Sequence, residues 1–564
     1  MLLRLMPLAA LLLTTCTTPA TRVADTDAPA EAELFGDFLA GTYASNVNEY
    51  DARTDYYASA FEQAPDDVFI GRRALSFAVL DGDFDRARRI ARKILETDPA
   101  ESMARTVLGQ QAFRRGDHRR AALLFGPDTT DLTMGLAMDL LQGWNAVAMG
   151  DETAARAAWA SMNGGAAFDR LASIQFATLD ARAGRVDNAL AHLDEVDESE
   201  LYGIESALTR ARILSRAGRG GEAIDFLQTF ADDNNQTESG PVAATLESLR
   251  AGETLPDDLS PRQLAARALT EPSFSFFVRG RALDAAELYL RMALDLDPGH
   301  GKAALLLADL LENTDRSDEA MALYRSVSDR DPYYPSARLG EANIHFDRDE
   351  DDRAIAILEA LNARQPTLTT REALGRARLI RENYEEALPI YQALVDSLTE
   401  DELRANVQPL YFRGIVYERL DDFPNAVVDF RRVLELDPDN ADALNYLGYT
   451  WVDRGENLEE AFDMVERAVE LEPDSGAIID SLGWAHYKLG RYSEARTHLE
   501  RAAALSPTSA TIIDHLGDVY WKLGRYREAG YQWRRALTLD PSEEERESIT
   551  RKLQGGLEAV TPAP

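Results

Sequence analysis

Proline residues recur in this chain at a nearly constant interval of 34 residues, and this period constrains the fold more than any other feature. Intervals of 34 or 35 residues separate the prolines within three series, which are Pro541, Pro507, Pro473 and Pro438, then Pro366, Pro332 and Pro298, and then Pro99 and Pro65. A fixed period of this length is typical of repeat architectures, in which each repeat is one supersecondary unit. Because such repeats stack only on their neighbours, a chain of 564 residues needs no single compact core.

The stretch from Ala510 to Pro541 shows what one repeat contains. Two runs of residues at helical spacing follow one another here, namely Ile513, Leu516, Gly517 and Tyr520, and then Ala529, Trp533 and Ala536. Gly524 lies between the runs, where a helix end favours a left-handed residue. Gly517 and Ala529 are small enough for two antiparallel helices to approach closely. The stretch therefore predicts a helix–turn–helix unit.

The preceding block, which begins at Gly476, repeats this pattern almost position for position. Its matching residues are Ile479, Leu482, Gly483, Ala495, Leu499, Ala502 and Pro507. Helix–turn–helix units of this period resemble the tetratricopeptide repeat family. The resemblance implies an all-α protein, a right-handed α-solenoid of about a dozen repeats with a concave inner face and a C-terminal cap helix.

The repeats and the interruptions between them predict six segments along the chain. These are a signal peptide at 1–16, a flexible tether at 17–33, a degenerate N-terminal repeat block at 34–230, an irregular linker at 231–261, a C-terminal repeat block at 262–541, and a cap helix with a tail at 542–564. A short helix is expected within the linker, from Val242 to Arg250. Extra residues are expected between two repeats around Leu398 to Asn406. Ser542 and Glu545 form the capping-box pattern that predicts the start of the cap helix.

The amino terminus resembles a bacterial lipoprotein signal. The apolar run from Leu5 to Leu13 is too short to span a bilayer but suits the core of a secretory signal. It leads to Cys16, the only cysteine of the chain, in the position of a lipobox cysteine. The resemblance implies that Cys16 is lipidated and that Thr17 after it directs the protein to the periplasmic face of the outer membrane. An unanchored periplasmic protein is the second expectation.

Charge and motif content exclude several classes of function. The net charge of −37 argues against nucleic acid and against a flat contact with anionic lipid. The membrane contact that we expect is therefore the lipid anchor alone. The seven histidines lack the spacing of a metal site on a helix, and no nucleotide-binding or nucleophile motif is present. We therefore expect a non-enzymatic protein with no catalytic residue, no metal and no cofactor.

The resemblance also implies which side chains face the groove of the last three full repeats. These candidate partner-binding residues are Asn445, Tyr446, Tyr449, Asp480, Trp484, Tyr487, Asp514, His515, Asp518 and Trp521. Aromatic residues flanked by polar groups are typical of binding hot spots. The alternative is that these rings pack against the next repeat.

The last third of the chain is similar to a group of proteobacterial outer-membrane tetratricopeptide lipoproteins. The similarity includes Asn445–Tyr449, Asp514–Asp518 and Trp533–Leu537. A characterised member of that group is an adaptor of a carboxyl-terminal processing protease and delivers cell-wall hydrolases to it. The resemblance implies a scaffold that binds other proteins or peptides, including such a protease and its substrates. Two alternatives remain, an assembly factor for an envelope export or polymer-synthesis machine and a cytoplasmic repeat protein without an anchor.

Overall fold

The structure is a computed structural model, and it describes most of the chain beyond the amino terminus. The described residues are 30–47, 49–126, 131–162, 165–194, 196, 203–234, 240–255, 259–278 and 283–559. Within these ranges the regular secondary structure is entirely helical, which confirms the predicted all-α class. The predicted signal peptide, Cys16 and nearly all of the predicted tether lie outside the described residues.

The described residues divide into two compact units. Unit 1 consists of the described residues of Met1–Asn234 and Pro241–Tyr334, and unit 2 consists of those of Asn235–Gly240 and Pro335–Pro564. The sequence analysis places the irregular linker earlier, at 231–261. The predicted linker and the division between the compact units of the structure therefore lie at different points of the chain.

The helices up to the division between the units are α1 Ala30–Asn46, α2 Tyr50–Gln63, α3 Val68–Leu80, α4 Phe84–Thr97, α5 Ser102–Arg114, α6 His118–Leu124, α7 Leu132–Ala148, α8 Glu152–Ala160, α9 Ala166–Arg182, α10 Val186–Asp194, α11 Gly203–Arg216, α12 Gly220–Asp233, α13 Gly240–Arg250, α14 Pro261–Val278, α15 Leu283–Leu296, α16 Gly301–Glu312 and α17 Ser317–Ser326. The helices that follow are α18 Tyr334–Asp347, α19 Asp351–Arg364, α20 Leu368–Ile380, α21 Tyr384–Ser397, α22 Glu400–Ala405, α23 Gln408–Arg419, α24 Phe423–Leu436, α25 Ala441–Arg454, α26 Leu458–Leu471, α27 Gly476–Lys488, α28 Tyr492–Leu505, α29 Ala510–Lys522, α30 Tyr526–Ala536 and α31 Glu543–Gly555, with a 3₁₀ turn at Leu557–Ala559. Most helices pair with the next one as a helical hairpin, and we call its first member the A helix and its second the B helix.

A glycine on the A helix allows the two helices of a hairpin to approach closely. A Cβ atom added to Gly517 would lie 2.5 Å from Cδ1 of Trp533, which is on the paired B helix. The Trp533 side chain is 1% exposed and fills this gap. Trp159 occupies the same place against Gly143 in unit 1. The large ring of one helix therefore fits where the other helix has no side chain.

Three local predictions are confirmed. A short helix, α13, covers the stretch from Val242 to Arg250, and the short helix α22 lies in the extra residues around Leu398 to Asn406. Helix α31 begins with a capping box between Ser542 and Glu545. Its Ile549 side chain is fully buried, so α31 covers the apolar end of the last repeat.

Unit 1 folds back onto its own A helices. Helix α14 packs against α7 and α9, and α15 packs against α3. Asp295 on α15 accepts hydrogen bonds from Arg88 at 2.7 Å and from Gln110 at 2.7 Å, and it also pairs with Arg114. Gln110 is 1% exposed as a result. This side of the N-terminal A helices is therefore covered by helices from the same unit.

Candidate protein-binding surface

The ten predicted groove residues lie on three successive A helices of unit 2, and we call them the A-helix face. They are distributed over α25, α27 and α29. Asp480, Asp514, His515 and Asp518 are buried. The other six are partly exposed, namely Asn445, Tyr446, Tyr449, Trp484, Tyr487 and Trp521. The face thus has a buried acidic floor and a partly exposed aromatic border.

A stack of three rings joins α27 to α29. The ring of Trp484 lies parallel to that of Tyr487, with centroids 4.5 Å apart and an interplanar angle of 8°. Its other neighbour is His515, at 4.0 Å and 15°. The Nζ atom of Lys488 lies 5.4 Å from the centroid of the Trp484 ring. Offset stacking and a cation–π contact hold Trp484 in one orientation while leaving part of it exposed.

An ion pair fixes the histidine of this stack. Nδ1 of His515 lies 3.0 Å from each carboxylate oxygen of Asp480. Burial opposes the charged form of His515, but the Asp480 carboxylate, with Asp514 and Asp518, outweighs it and raises the pKa of His515. The acidic cluster therefore favours the positively charged form of the His515 ring.

The cap helix supplies the second positive charge of the cluster. Nζ of Lys552 on α31 donates to Asp514 at 2.6 Å and to Asp518 at 2.8 Å. Asp518 also accepts a hydrogen bond from Nε1 of Trp533 at 2.9 Å. Burial and the Asp514 charge raise the pKa of Asp518 to about 6, although Lys552 and His515 act in the opposite direction. One carboxyl group of the floor thus titrates close to neutral pH.

The tyrosines of α25 extend the aromatic border to the preceding repeat. The ring of Tyr446 lies 5.0 Å from that of Phe430, and its hydroxyl donates to Glu418 at 3.0 Å. Burial, followed by the charges of Asp453 and Asp480, raises the pKa of Tyr449 well above its ordinary value. Both phenols therefore remain neutral hydrogen-bonding groups near pH 7.

Trp521 lies at the other end of the face. Its ring is 5.4 Å from that of Trp533 and 4.5 Å from that of Tyr526. It also adjoins the end of the cap helix, because a Cβ atom added to Gly556 would meet the Trp521 ring. Trp521 therefore has packing partners besides its partly exposed edge.

Three buried polar atoms of the A-helix face have no hydrogen-bond partner among the described residues. They are Oδ1 of Asn445, Nε1 of Trp484 and Oδ1 of Asp514. Buried polar atoms are satisfied in the great majority of cases, so such atoms require an explanation. All three atoms are shielded from solvent, so a partner that lies on the present surface does not reach them.

The sequence did not identify Lys552 as part of this site. The signal that the sequence offered was the position of Lys552 three residues after Ile549, beside the apolar stripe of the cap helix. In the structure this lysine is 6% exposed, and a charge that is buried to this degree requires a partner. That Asp514 and Asp518 supply this partner follows only from the packing of α31 on α29.

Metal-type clusters and membrane-spanning helices are both absent from the described residues. Within these ranges no three His, Cys, Asp or Glu side chains are grouped as they would be around a metal ion. In the same part of the chain, no helix combines the length and the apolar character needed to cross a membrane.

Known repeat families match several parts of the chain. Family models described as tetratricopeptide repeat match residues 79–126, 279–332, 315–374, 412–476 and 510–543, and one described as TPR repeat matches residues 483–524. These ranges include α25 and α29 in full and α27 from residue 483 onward, which are helices of the A-helix face.

Curated proteins are similar over shorter stretches. A TPR repeat-containing protein of Pseudomonas aeruginosa is 36% identical over 117 residues, which are 21% of this chain and 20% of that protein. The CTR9 homolog of Arabidopsis thaliana is 29% identical over 110 residues, which are 20% of this chain and 10% of that protein. The chain thus spans no more than a fifth of the length of these relatives.

Among solved structures, the APC/C hetero-tetramer Cut9–Hcn1 contains a chain that aligns with 94% of this chain and over 96% of its own length. The TM-score is 0.38 and the sequence identity 15%. The repeat matches show that the segments named above are similar to tetratricopeptide repeats, and the helical hairpins of the structure agree with that similarity.

Proposed function

We propose that the chain is a scaffold that binds another protein through the A-helix face of unit 2. The observation that supports this most directly is the partly exposed aromatic border of Tyr446, Tyr449, Trp484, Tyr487 and Trp521 above a buried polar floor. Tetratricopeptide repeats generally bind proteins or peptides. Aromatic side chains that are already held in place lose little conformational entropy on binding and are common hot spots.

The partly exposed polar side chains suggest the chemistry of the contact. The amide group of Asn445 and the hydroxyl groups of Tyr449 and Tyr487 can donate and accept hydrogen bonds. An extended peptide offers both N–H and C=O groups along its main chain. We infer that a partner segment of this kind lies along the three A helices, with its own side chains against the aromatic border.

We further propose that the protein is a lipoprotein on the periplasmic face of the outer membrane, attached through Cys16, and that it is an adaptor of a carboxyl-terminal processing protease. The support is the apolar run before Cys16 and the similarity of the last third of the chain to adaptor lipoproteins. A scaffold that holds a protease and its substrate on different segments raises the effective concentration of one for the other. Cell-wall hydrolases are the proposed substrates.

A pull-down from solubilised envelopes tests the partner. Tagged full-length protein and its Cys16→Ser variant are compared, and the enriched proteins are identified by mass spectrometry. The proposal expects a periplasmic serine protease and cell-wall hydrolases with the wild type. Enrichment of export or polymer-synthesis components instead would favour the assembly-factor alternative. Radiolabelled palmitate should label the wild type and not Cys16→Ser, and the absence of label from both would contradict the anchor.

A second set of variants tests the surface. Trp484→Ala combined with Trp521→Ala removes two rings of the A-helix face and should weaken capture of the partner by about tenfold or more. The matched control is Tyr531→Ala combined with Val428→Ala, on the B helices α30 and α24, where these side chains are 63% and 64% exposed. Equal losses in both sets, or lost binding that follows a lowered melting temperature, would assign the tryptophans to packing alone.

A further inference from the structure

The outward side of the last three B helices of unit 2 changes from acidic to basic along the chain. The fully buried alanines Ala461, Ala495 and Ala529 mark the same position on α26, α28 and α30. Residues two before, two after and five after each alanine lie about 140–200° around the helix from it, so they point away from the hairpin. We call these nine residues the outer B-helix face, and all of them are exposed. They are Glu459, Asp463 and Glu466 on α26, Ser493, Thr497 and Glu500 on α28, and Arg527, Tyr531 and Arg534 on α30.

The two arginines of this face have no ionic partner in the part of the chain that the structure describes. Arg527 and Arg534 form neither an ion pair nor a side-chain hydrogen bond there, whereas the adjacent Arg525 pairs with Glu528 at 3.1 Å. Between the two arginines, the Tyr531 side chain is 63% exposed. Arginine and tyrosine are enriched in protein interfaces and are common hot spots. This basic stripe, in a chain of net charge −37, therefore suits contact with an acidic surface.

The three carboxylates of the face on α26 are also without an ion pair among the described residues. They belong to Glu459, Asp463 and Glu466. The one arginine of α26, Arg467, pairs instead with Glu470 at 2.8 Å and with Asp439 at 2.9 Å. Helix α26 therefore offers an acidic stripe with the same spacing as the basic stripe of α30.

The middle of the face separates the two stripes within one copy of the chain. Helix α28 follows α26 and precedes α30 in the order of the hairpins, and its residues Ser493 and Thr497 are small and uncharged. Its third residue, Glu500, accepts a hydrogen bond from the hydroxyl of Tyr520 at 2.9 Å. The basic and acidic stripes thus lie on either side of a nearly neutral helix, and no ion pair joins them within the described residues.

We propose that two copies of this chain pair through the outer B-helix face. A two-fold axis parallel to α28 places α30 of each copy against α26 of the other. Because the stripes occupy equivalent positions, Arg527 then meets Glu459 across the contact. By the same operation Arg534 meets Glu466. The contact is made twice, so the face is complementary to itself in charge.

The size of the face sets the strength of this association. The contact is three helices wide and consists mainly of exposed charged groups, each pair of which contributes little. We therefore expect a weak dimer with a Kd of about 10–100 µM. The net charge of each copy opposes the association over longer distances, and salt at about 0.15 M screens that repulsion beyond about 8 Å.

Sedimentation equilibrium of the full chain at this ionic strength tests the dimer. Every sample carries Cys16→Ser, so neither a lipid nor a disulfide bond links two copies, and any association through the amino terminus is the same in all samples. Arg527→Glu combined with Arg534→Glu places like charges opposite each other and should raise the Kd by about tenfold or more. Glu459→Arg combined with Glu466→Arg should have the same effect. All four positions are exposed, so the melting temperatures should not change.

Mixing the two reversed variants gives the sharpest test. One variant is acidic on both α26 and α30, and the other is basic on both, so an equimolar mixture should form mixed dimers with nearly the original Kd. A single chain that carries all four substitutions should also dimerise, because its stripes are exchanged. Continued dissociation in both cases would refute the pairing of α26 with α30.

A matched control changes the net charge equally at another place. Arg119→Glu combined with Arg120→Glu alters two exposed arginines of α6 and should leave the Kd unchanged. A wild type that stays monomeric at ten times the expected Kd, or a control that weakens the dimer as much as the reversed variants, would overturn the proposal. The A-helix face lies on other helices, so monomeric variants should still capture its partner, and the two surfaces are tested separately.

Discussion

Lys552 is a buried charge that holds the cap helix to the last repeat. Its Nζ atom lies between the carboxylates of Asp514 and Asp518, and the side chain of each of the three is nearly buried. Removal of one partner from a buried ionic group leaves uncompensated charge, which costs more than the group contributes when complete. The stability of the A-helix face therefore depends on a residue outside it.

Lys552→Met should lower the free energy of unfolding of the C-terminal end by about 3–5 kcal/mol, because two carboxylates remain buried without their cation. Hydrogen exchange of the α29 and α31 amides measures this locally. Lys522→Met, which removes an exposed lysine from α29, is the matched control and should change little. Adding Asp514→Asn and Asp518→Asn to Lys552→Met should recover protection. Equal exchange in Lys552→Met and the control would contradict this view of the cap.

Asp518 and His515 should make the C-terminal repeats less stable as the pH rises. The pKa of Asp518, about 6, exceeds the ordinary value of about 3.9, so the folded state holds this proton more tightly than the unfolded state. Its stabilising contribution is full below about pH 4 and is lost as the pH rises through about 6. The pKa of His515 is also raised, so its contribution is lost as the pH rises above about 6.5.

Urea unfolding between pH 5 and pH 8, followed by tryptophan fluorescence, measures this dependence. The urea concentration at the midpoint should fall as the pH rises. Asp518→Asn should make this dependence on pH shallower, and the remaining dependence should come from His515. A slope that is the same in Asp518→Asn and wild type would show that Asp518 does not titrate in this range.

At the scale of the helix pair, the turn between the A and B helices sets a local constraint. Gly524 adopts a φ of 73°, and Glu382 has a φ of 58° in the corresponding turn between α20 and α21. A non-glycine residue in this left-handed region is strained by roughly 1–2 kcal/mol, which glycine avoids at some cost in chain entropy.

Glu382→Gly should therefore raise stability, by up to about 1 kcal/mol, whereas Gly524→Ala should lower it by about 1 kcal/mol. Both changes are at exposed positions, and thermal melting measures them. The opposite order of the two melting temperatures would show that side-chain contacts outweigh backbone strain in these turns.

The close contact within a hairpin supports a second prediction at this scale. Gly517→Ala places a methyl group against the Trp533 ring and should cost about 1–3 kcal/mol of stability. Gly530→Ala, on the paired helix α30, meets only the end of the Arg534 side chain at 3.4 Å and should be stabilising by about 1 kcal/mol. Chemical denaturation compares the two, and a stabilising Gly517→Ala would contradict the tight packing described here.

At the scale of the whole molecule, the two units differ in how their A helices are covered. In unit 1, α14 and α15 cover A helices that precede them by long stretches of sequence, and Gln110 donates to the main-chain oxygen of Met292 at 3.1 Å. In unit 2, the last A helices carry the partly exposed aromatic border.

This difference predicts the behaviour of two fragments. Residues 30–334 should fold into a stable helical unit, whereas residues 30–234 should aggregate or melt at a lower temperature, because Gln110 and its neighbours lose their cover. Circular dichroism and size-exclusion chromatography compare the two. Equal stability of both fragments would favour a domain boundary in the linker at 231–261, as the sequence predicts.

The sequence by itself determined the repeat, the helical hairpins and their small residues, because each depends on contacts between residues close in the chain. The phase of Gly517, Ala529 and Trp533 predicted how two helices meet, and Ser542 with Glu545 predicted the start of the cap helix. The resemblance also predicted that Asp514 and Asp518 lie on the same helix face as Trp521.

Only the tertiary structure decided how buried those residues are and which charges they face. The Lys552 contact depends on the docking of α31, the stack of Trp484 on His515 depends on the spacing of two repeats, and the cover of unit 1 joins α15 to helices about 180 residues earlier. The period of a sequence fixes contacts between neighbours, whereas contacts of this kind depend on the path of the whole chain, which a local pattern does not encode.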